Sequence, residues 1–125
     1  EVVYAEQVAT AARDADLMIT ISNDSWFGDS IGPLQHLQIT QMRALENGRY
    51  ILRGTNNGVS AIIDHQGRIV KRSEQFVATT VVGEVNVMLG NTPFGSFGTT
   101  PMIAGSAITL LLMVLMYVGF WRETP

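Results

Sequence analysis

Apolar and polar positions fall in blocks along this chain, and the edges of the blocks predict its elements. From Val2 to Ala15, Val8 and the alanines Ala5, Ala9 and Ala12 sit at helical spacing, with Glu6, Gln7, Arg13 and Asp14 supplying polarity, which predicts an amphipathic helix. Leu17 to Ile21, LMITI, is a continuous apolar or β-branched run and predicts a buried strand. Pro33 suits the first position of a second helix and Gly48 its stop. Between them Leu34, Leu37, Ala44 and Leu45 share one face, while Arg43 and Glu46 lie on another, three apart and able to pair. Tyr50 to Thr55 and Gly58 to Asp64 read as strands separated by Asn56 and Asn57, and His65, Gln66 and Gly67 as a turn into the arm Arg68 to Lys71. Thr79 to Val87 reads as one more strand, and Gly90 to Thr100 as a glycine, threonine and serine rich connection. Helix, strand, helix and then several strands is a mixed α/β layout with an antiparallel section.

The last quarter changes that picture. Met102 to Trp121 carries no charge, and at about 1.5 Å per residue it makes about 30 Å of helix, the thickness of a bilayer core. Thr99 or Thr100 can cap its start with Pro101 in the first turn; Tyr117 and Trp121 suit the far interface, and Arg122 ends the span. A soluble core helix rarely stays apolar all round for this length, so the pattern predicts a transmembrane helix. Between Ser73 and Trp121 there is no Lys or Arg, whereas Arg122 follows at once, which orients the C-terminus toward the cytoplasm and the preceding domain outside.

Composition narrows the functions. At 125 residues the chain is one domain or part of one, and its net charge of −3 with scattered arginines argues against a nucleic-acid surface. Cysteine is absent, which excludes disulfides, thiolate metal sites and a cysteine nucleophile within this chain. His36 and His65 have no ligand-like spacing, so no metal and no cofactor is expected. Without an initiator Met, a basic leader or an apolar signal segment, the chain is expected to begin inside a longer protein.

Candidate chemistry concentrates in ISNDSWFGDSIGP, Ile21 to Pro33, where polar, aromatic and glycine residues follow the end of a hydrophobic strand. Ser22, Asn23 and Asp24 leave the C-terminal end of that strand, where ligand sites of α/β sheets collect. Trp26 and Phe27 are candidates to contact an apolar ligand or lipid. The same residues also fit an Asx-type turn with its aromatics tucked into the core. His36 reads as a helix-start residue without a chemical role, His65 as a surface residue, and Lys71 as a solvated charge beside Arg68 and Arg72.

Three blocks then coincide in order and spacing: SNDSWFGDSIGP, QMRALENGRYILR from Gln41 to Arg53, and TNNGVSAIIDHQGRIV from Thr55 to Val70. Together they resemble the C-terminal half of the nitrilase superfamily of carbon-nitrogen hydrolases. NDSWFGDSIGP followed by a terminal span selects its apolipoprotein N-acyltransferase branch. The resemblance implies the C-terminal half of an α-β-β-α sandwich followed by one transmembrane helix. Its implied organisation is nitrilase-like domain over 1–89, linker over 90–101, span over 102–121 and cytoplasmic tail over 122–125. It places the catalytic domain on the periplasmic side of a bacterial inner membrane, in a multi-pass protein that is a monomer.

The implied reaction moves an acyl chain from a phospholipid donor through a cysteine thioester to the α-amino group of a diacylglyceryl-cysteine on an apolipoprotein acceptor, using Cys, Glu and Lys. None of the three lies in this chain at a matching position, so the chain alone is expected to be inactive. Glu1 matches a family glutamate beside the nucleophile; Ser22, Asn23, Asp24, Trp26 and Phe27 would line or brace the pocket. Arg43 and Glu46 match the superfamily's RAxEN pair, and Asn57 would shape a supporting turn. Half a sandwich would also leave an apolar sheet face open. Two alternatives stand beside this reading: an amidohydrolase of the same superfamily acting on small amides, and a membrane-anchored module without catalytic residues.

Overall fold

The computed structural model describes residues 2–123, with side chains through residue 119. Its elements are α1 (Ala5–Ala12), β1 (Met18–Asn23), a 3-10 turn (Ser25–Phe27), α2 (Gly32–Asn47), β2 (Ile51–Asn56), β3 (Ala61–Ile63), β4 (Ile69–Arg72), α3 (Pro93–Phe97) and α4 (Thr100–Glu123). Glu1, one of the expected site residues, lies outside the described residues.

The mixed α/β class is observed. β1 and β2 pair in parallel from Met18 opposite Ile51 to Asn23 opposite Asn56. Parallel neighbours cannot be joined by a tight turn, so α2 serves as the crossover between them. β3 and β4 then add antiparallel, giving the order β1-β2-β3-β4. The β3–β4 turn is set by Asp64, whose carboxylate accepts the backbone N–H of Gln66 and of Arg68, both at 2.8 Å. Gln41 of α2 holds the same turn through the Gly67 carbonyl at 2.8 Å.

Side-chain alternation divides the sheet. Ile51, Ala61 and Ile63 face α2 and form the core with Leu37, Ala44 and Val59, with Met18 and Ile69 packed against it. On the opposite face Ile19 and Ile21 are 69% and 85% exposed, so the open apolar face expected of half a sandwich is present. An extended segment crosses part of that face: a Cβ on Gly83 would stand 2.8 Å from Ile62 Cδ1, and Lys71 Nζ donates to the Val82 carbonyl at 2.7 Å.

Several boundaries differ from the sequence pattern. α1 is shorter than Val2 to Ala15, with Val2 buried ahead of it. β1 runs on through Ser22 and Asn23 because β2 continues to offer it partners. Thr79 to Val87 is not a strand but an extended, largely exposed segment without a ladder of hydrogen bonds. The glycine-rich stretch after Leu89 contains α3, capped by Thr92, whose hydroxyl accepts from the Gly95 N–H at 2.9 Å and donates to the Glu46 carbonyl.

α2 begins with Pro33 in its first turn and ends at Gly48, which adopts φ 61°, as expected. Its faces are as expected at Leu37 and Ala44, which are buried, but not elsewhere. Leu34 and Leu45 are exposed, whereas Thr40 and Arg43 are buried, because the helix packs its small and polar positions against a polar interior described below.

α4 is long and apolar enough to cross a membrane over Thr100–Gly119, and none of that stretch is buried by the rest of the protein. Glu6 of α1 ties its start: the Glu6 carboxylate accepts both the backbone N–H (2.9 Å) and the hydroxyl of Thr99. These bonds hold the Glu6 carboxyl below its ordinary value of 4.5. A carboxyl lowered on folding contributes above its unfolded pKa and loses the contribution as pH falls through the folded one. Wild-type protein should therefore exchange the Thr99 amide more slowly than Glu6→Gln at neutral pH. The difference should persist below 4.5 and vanish only once the pH falls below the lowered pKa of the folded Glu6 carboxyl, read by hydrogen exchange compared at each pH.

Candidate functional site

A cavity of about 520 Å³ opens where the chain's first described residues meet the C-terminal end of β1. Val2 and Val3 form one wall; Thr20 to Asn23 of β1 form the floor. Trp26 and Phe27 of the 3-10 turn and His36 and Ile39 of α2 close the other sides. Of the residues expected here, Ser22, Asn23, Trp26 and Phe27 line the cavity. Trp26 is 79% exposed and available for contact, not tucked into a core. The Phe27 ring lies over Gly32, where a Cβ would stand 2.5 Å from Cδ1, so glycine is needed for that ring position. The Asn23 side chain is turned to local work, accepting the Ser25 backbone N–H at 3.1 Å and so shaping the 3-10 turn.

Asp24 does not line the cavity; it is the hub behind it. Its side chain is fully buried, and Oδ2 accepts from Arg53 Nη2 at 2.8 Å, an ion pair with both partners shut away from water. Oδ1 accepts from the Ser22 hydroxyl at 3.1 Å and lies 3.0 Å from His36 Nδ1. Arg53 also donates to the Val59 carbonyl at 3.3 Å and to Thr40 Oγ1 at 3.2 Å, and the Thr40 hydroxyl donates to the His36 carbonyl at 2.9 Å. Burial pushes the Arg53 guanidinium below its ordinary pKa, with Asp24 opposing that shift.

The Asn57 turn presses on this hub. Asn57 adopts φ 62°, a left-handed conformation that Asn tolerates, and brings Gly58 so close that a Cβ there would stand 2.3 Å from Asp24 Oδ2. Support through backbone shape is thus what Asn57 supplies.

Arg43 and Glu46 do pair, Nε to Oε2 at 2.8 Å and Nη2 to Oε1 at 2.9 Å, but Arg43 is buried rather than on a solvated face. Burial raises the Glu46 carboxyl above its ordinary value of 4.5 and Arg43 partly offsets this. The pair sits about two turns along α2 from His36, at roughly 10 Å of helix rise, and does not reach the cavity.

Three residues were misread from sequence. His36, assigned no role, is joined to Asp24 and lines the cavity, and its Nε2 is buried without a partner. Arg53 passed as one of several scattered charges. The signal was its parity: in YILRGT it shares the inward face with Ile51, and an inward arginine demands a buried carboxylate. His65 is half-buried beside the Tyr50 ring, at 5.9 Å between centroids, rather than on the surface.

A sequence model of the carbon-nitrogen hydrolase family matches residues 1–94. The chain is 54% identical over its whole length to the apolipoprotein N-acyltransferase of Azotobacter vinelandii, covering 24% of that protein. It is 53% identical over 93% of its length to that of Pseudomonas paraeruginosa, and 44% identical over 93% to that of Haemophilus influenzae, covering 22% of each. The chain thus spans about a quarter of the length of the curated relatives it matches.

Proposed function

Because the chain belongs to the carbon-nitrogen hydrolase family, we propose that it is the C-terminal part of an apolipoprotein N-acyltransferase, supplying one wall of the acyl-transfer site and a membrane helix. The observation that carries this reading is the cavity enclosed by Val2, Val3, the SNDSWF segment and His36. It is built from the segment that distinguishes the acyltransferase branch, and it adjoins the chain start that resembles the family's nucleophile segment. Glu1 belongs to the same proposal as site support. The long apolar α4 favours this branch over an amidohydrolase acting on small amides.

In the proposed reaction a cysteine thiolate, contributed by a part of the protein preceding residue 1, attacks an ester carbonyl of a phospholipid. The carbon–oxygen bond breaks, the lysophospholipid leaves with a proton, and a thioester remains. The unprotonated α-amino group of the diacylglyceryl-cysteine attacks that thioester; the carbon–sulfur bond breaks, an amide forms and the amine's proton passes to a base. A glutamate and a lysine outside this chain serve as base and oxyanion partner. Here Ser22, Trp26 and Phe27 form the wall that receives the acyl-bearing ligand, Asn23 and Asn57 shape its turns, and Asp24 braces it from behind. Arg43 and Glu46 stiffen α2. Residues 1–89 form the nitrilase-like part, 90–101 the connection, 102–121 the span and 122–125 a cytoplasmic tail, with the catalytic domain in the periplasm of a bacterial inner-membrane protein.

The test is transfer of a labelled acyl chain from phosphatidylethanolamine to a diacylglyceryl peptide by the full-length protein in lipid. Transfer that disappears when the preceding cysteine is replaced by alanine is the expected result; undiminished transfer without that thiol overturns the mechanism. Release of ammonia from small amides without acyl transfer would support the amidohydrolase reading instead.

A further inference from the structure

A second depression, of about 320 Å³, lies beside the cavity at the C-terminal end of β2. Asn23, in the wall of the cavity, and Asn56, in the wall of the depression, are paired neighbours at the ends of β1 and β2. Two bonds join the loops around them: Asn56 Nδ2 donates to Ser25 Oγ at 3.2 Å, and Gln75 Nε2 to the Gly28 carbonyl at 3.4 Å. The polar groups of the depression are the hydroxyls and amides of Thr55, Asn56, Asn57, Ser60, Ser73 and Thr79, with no charged side chain among the described residues that line it. Asn56, Asn57 and Thr79 are exposed, so a ligand can reach them. Phe76 and Val77, each about half exposed, form its apolar side. Phe76 adopts φ 62°, a left-handed backbone that glycine takes without strain and a bulky residue rarely adopts. A ring held at such a position, beside an open polar depression, points to a use for the ring.

The lining offers no charge to a phosphate or a carboxylate. It suits a polypeptide, whose backbone presents an N–H donor and a C=O acceptor at each ordinary residue, since hydroxyls and amides supply both kinds of partner. The acceptor of the proposed reaction is such a chain, and its reacting amine belongs to its first residue. Neighbouring strands lie about 4.8 Å apart and an extended chain advances about 3.3 Å per residue, so about two residues carry the acceptor from Asn23 across to Asn56. Resting on the acyltransferase reading above, we infer that the depression binds the acceptor's polypeptide just after its diacylglyceryl-cysteine, through hydrogen bonds to the peptide backbone, with Phe76 as the wall for one of its side chains.

The experiment uses the full-length protein in lipid vesicles and measures two half-reactions separately: labelling of the enzyme by phosphatidylethanolamine, and transfer from the labelled enzyme to an acceptor. Three acceptors are compared: diacylglyceryl-cysteine amide, a short diacylglyceryl peptide, and the same peptide N-methylated at the two backbone amides after its cysteine. The wild-type protein should show a KM about tenfold lower for the peptide than for the amide, and N-methylation should remove most of that gain. Phe76→Gly deletes the ring at a backbone that glycine accepts, and Thr79→Val deletes a hydroxyl at nearly constant shape, so neither variant threatens the fold. Each should raise the peptide's KM about three- to tenfold, with the defect confined to the peptide acceptor. Equal KM for the three acceptors with the wild-type protein overturns the inference, as does a peptide KM unchanged in both variants. Slower labelling, or an equal rise in KM for amide and peptide, would show that the loop shapes the catalytic cavity or packs against the rest of the protein, and overturns it too. Failure of the wild-type protein to become labelled would instead overturn the acyltransferase reading itself.

Discussion

Asp24→Ala in the full-length protein should cost about 3–5 kcal/mol of stability, the largest loss expected from any single polar substitution around the cavity. The substitution does more than remove one bond. Arg53 stays behind as a fully buried guanidinium whose remaining partners, the Val59 carbonyl and the Thr40 hydroxyl, carry no charge. Ser22 Oγ and His36 Nδ1 lose their acceptor in the same step. Against a total stability of about 5–15 kcal/mol, that loss should appear as protein largely degraded on expression and as a much lower melting temperature in detergent. Asp24→Leu combined with Arg53→Met removes both charges and should be more stable than either single variant, which a double-mutant cycle would show as coupling of at least about 2 kcal/mol. Near-wild-type melting of Asp24→Ala would mean that water reaches Arg53 and the hub is not dry.

The hub also shows what the sequence could and could not tell. Helix α2 was legible at both ends, since Pro33 and Gly48 act through local backbone preferences that need no tertiary context. The parallel and antiparallel strands were legible because their apolar residues alternate or run together. What escaped was every feature decided across the fold. Arg43 was read as lying on the polar side of α2, yet it is buried with Thr40, because charge and hydroxyl partners meet them there. Thr79 to Val87 has strand chemistry but crosses the sheet as an extended segment without joining its ladder, so propensity alone did not decide it. Asp24 and His36 are 12 positions apart, and only the path of the 3-10 turn into α2 brings them within 3.0 Å. Ser22, Asn23, Trp26 and Phe27 come together at the cavity because the end of a β-strand in an α/β sheet is itself a location, whatever the remaining chain does.

The last expectation concerns α4, where the argument is about solvent rather than packing. Among the described residues none of Thr100–Gly119 is buried, and Leu110, Leu111 and Leu112 near its middle are each more than half exposed. In water that would be a costly surface, at roughly 25 cal/mol for each Å² of apolar area. In a bilayer the same surface is matched. Leu111→Arg would place a charge near the centre of the span, at a cost of about 2.5–3.5 kcal/mol in insertion. Full-length protein carrying it should therefore integrate into membranes with a fraction reduced about 50-fold or more where α4 inserts alone, and less where neighbouring helices shelter the charge. Alkaline extraction and protease protection of the C-terminus would measure this. Leu111→Phe keeps the apolar character and should integrate as wild type. Equal integration of the arginine and phenylalanine variants, with the C-terminus on the same side in both, would show that α4 does not cross the bilayer core and lies against another part of the protein instead.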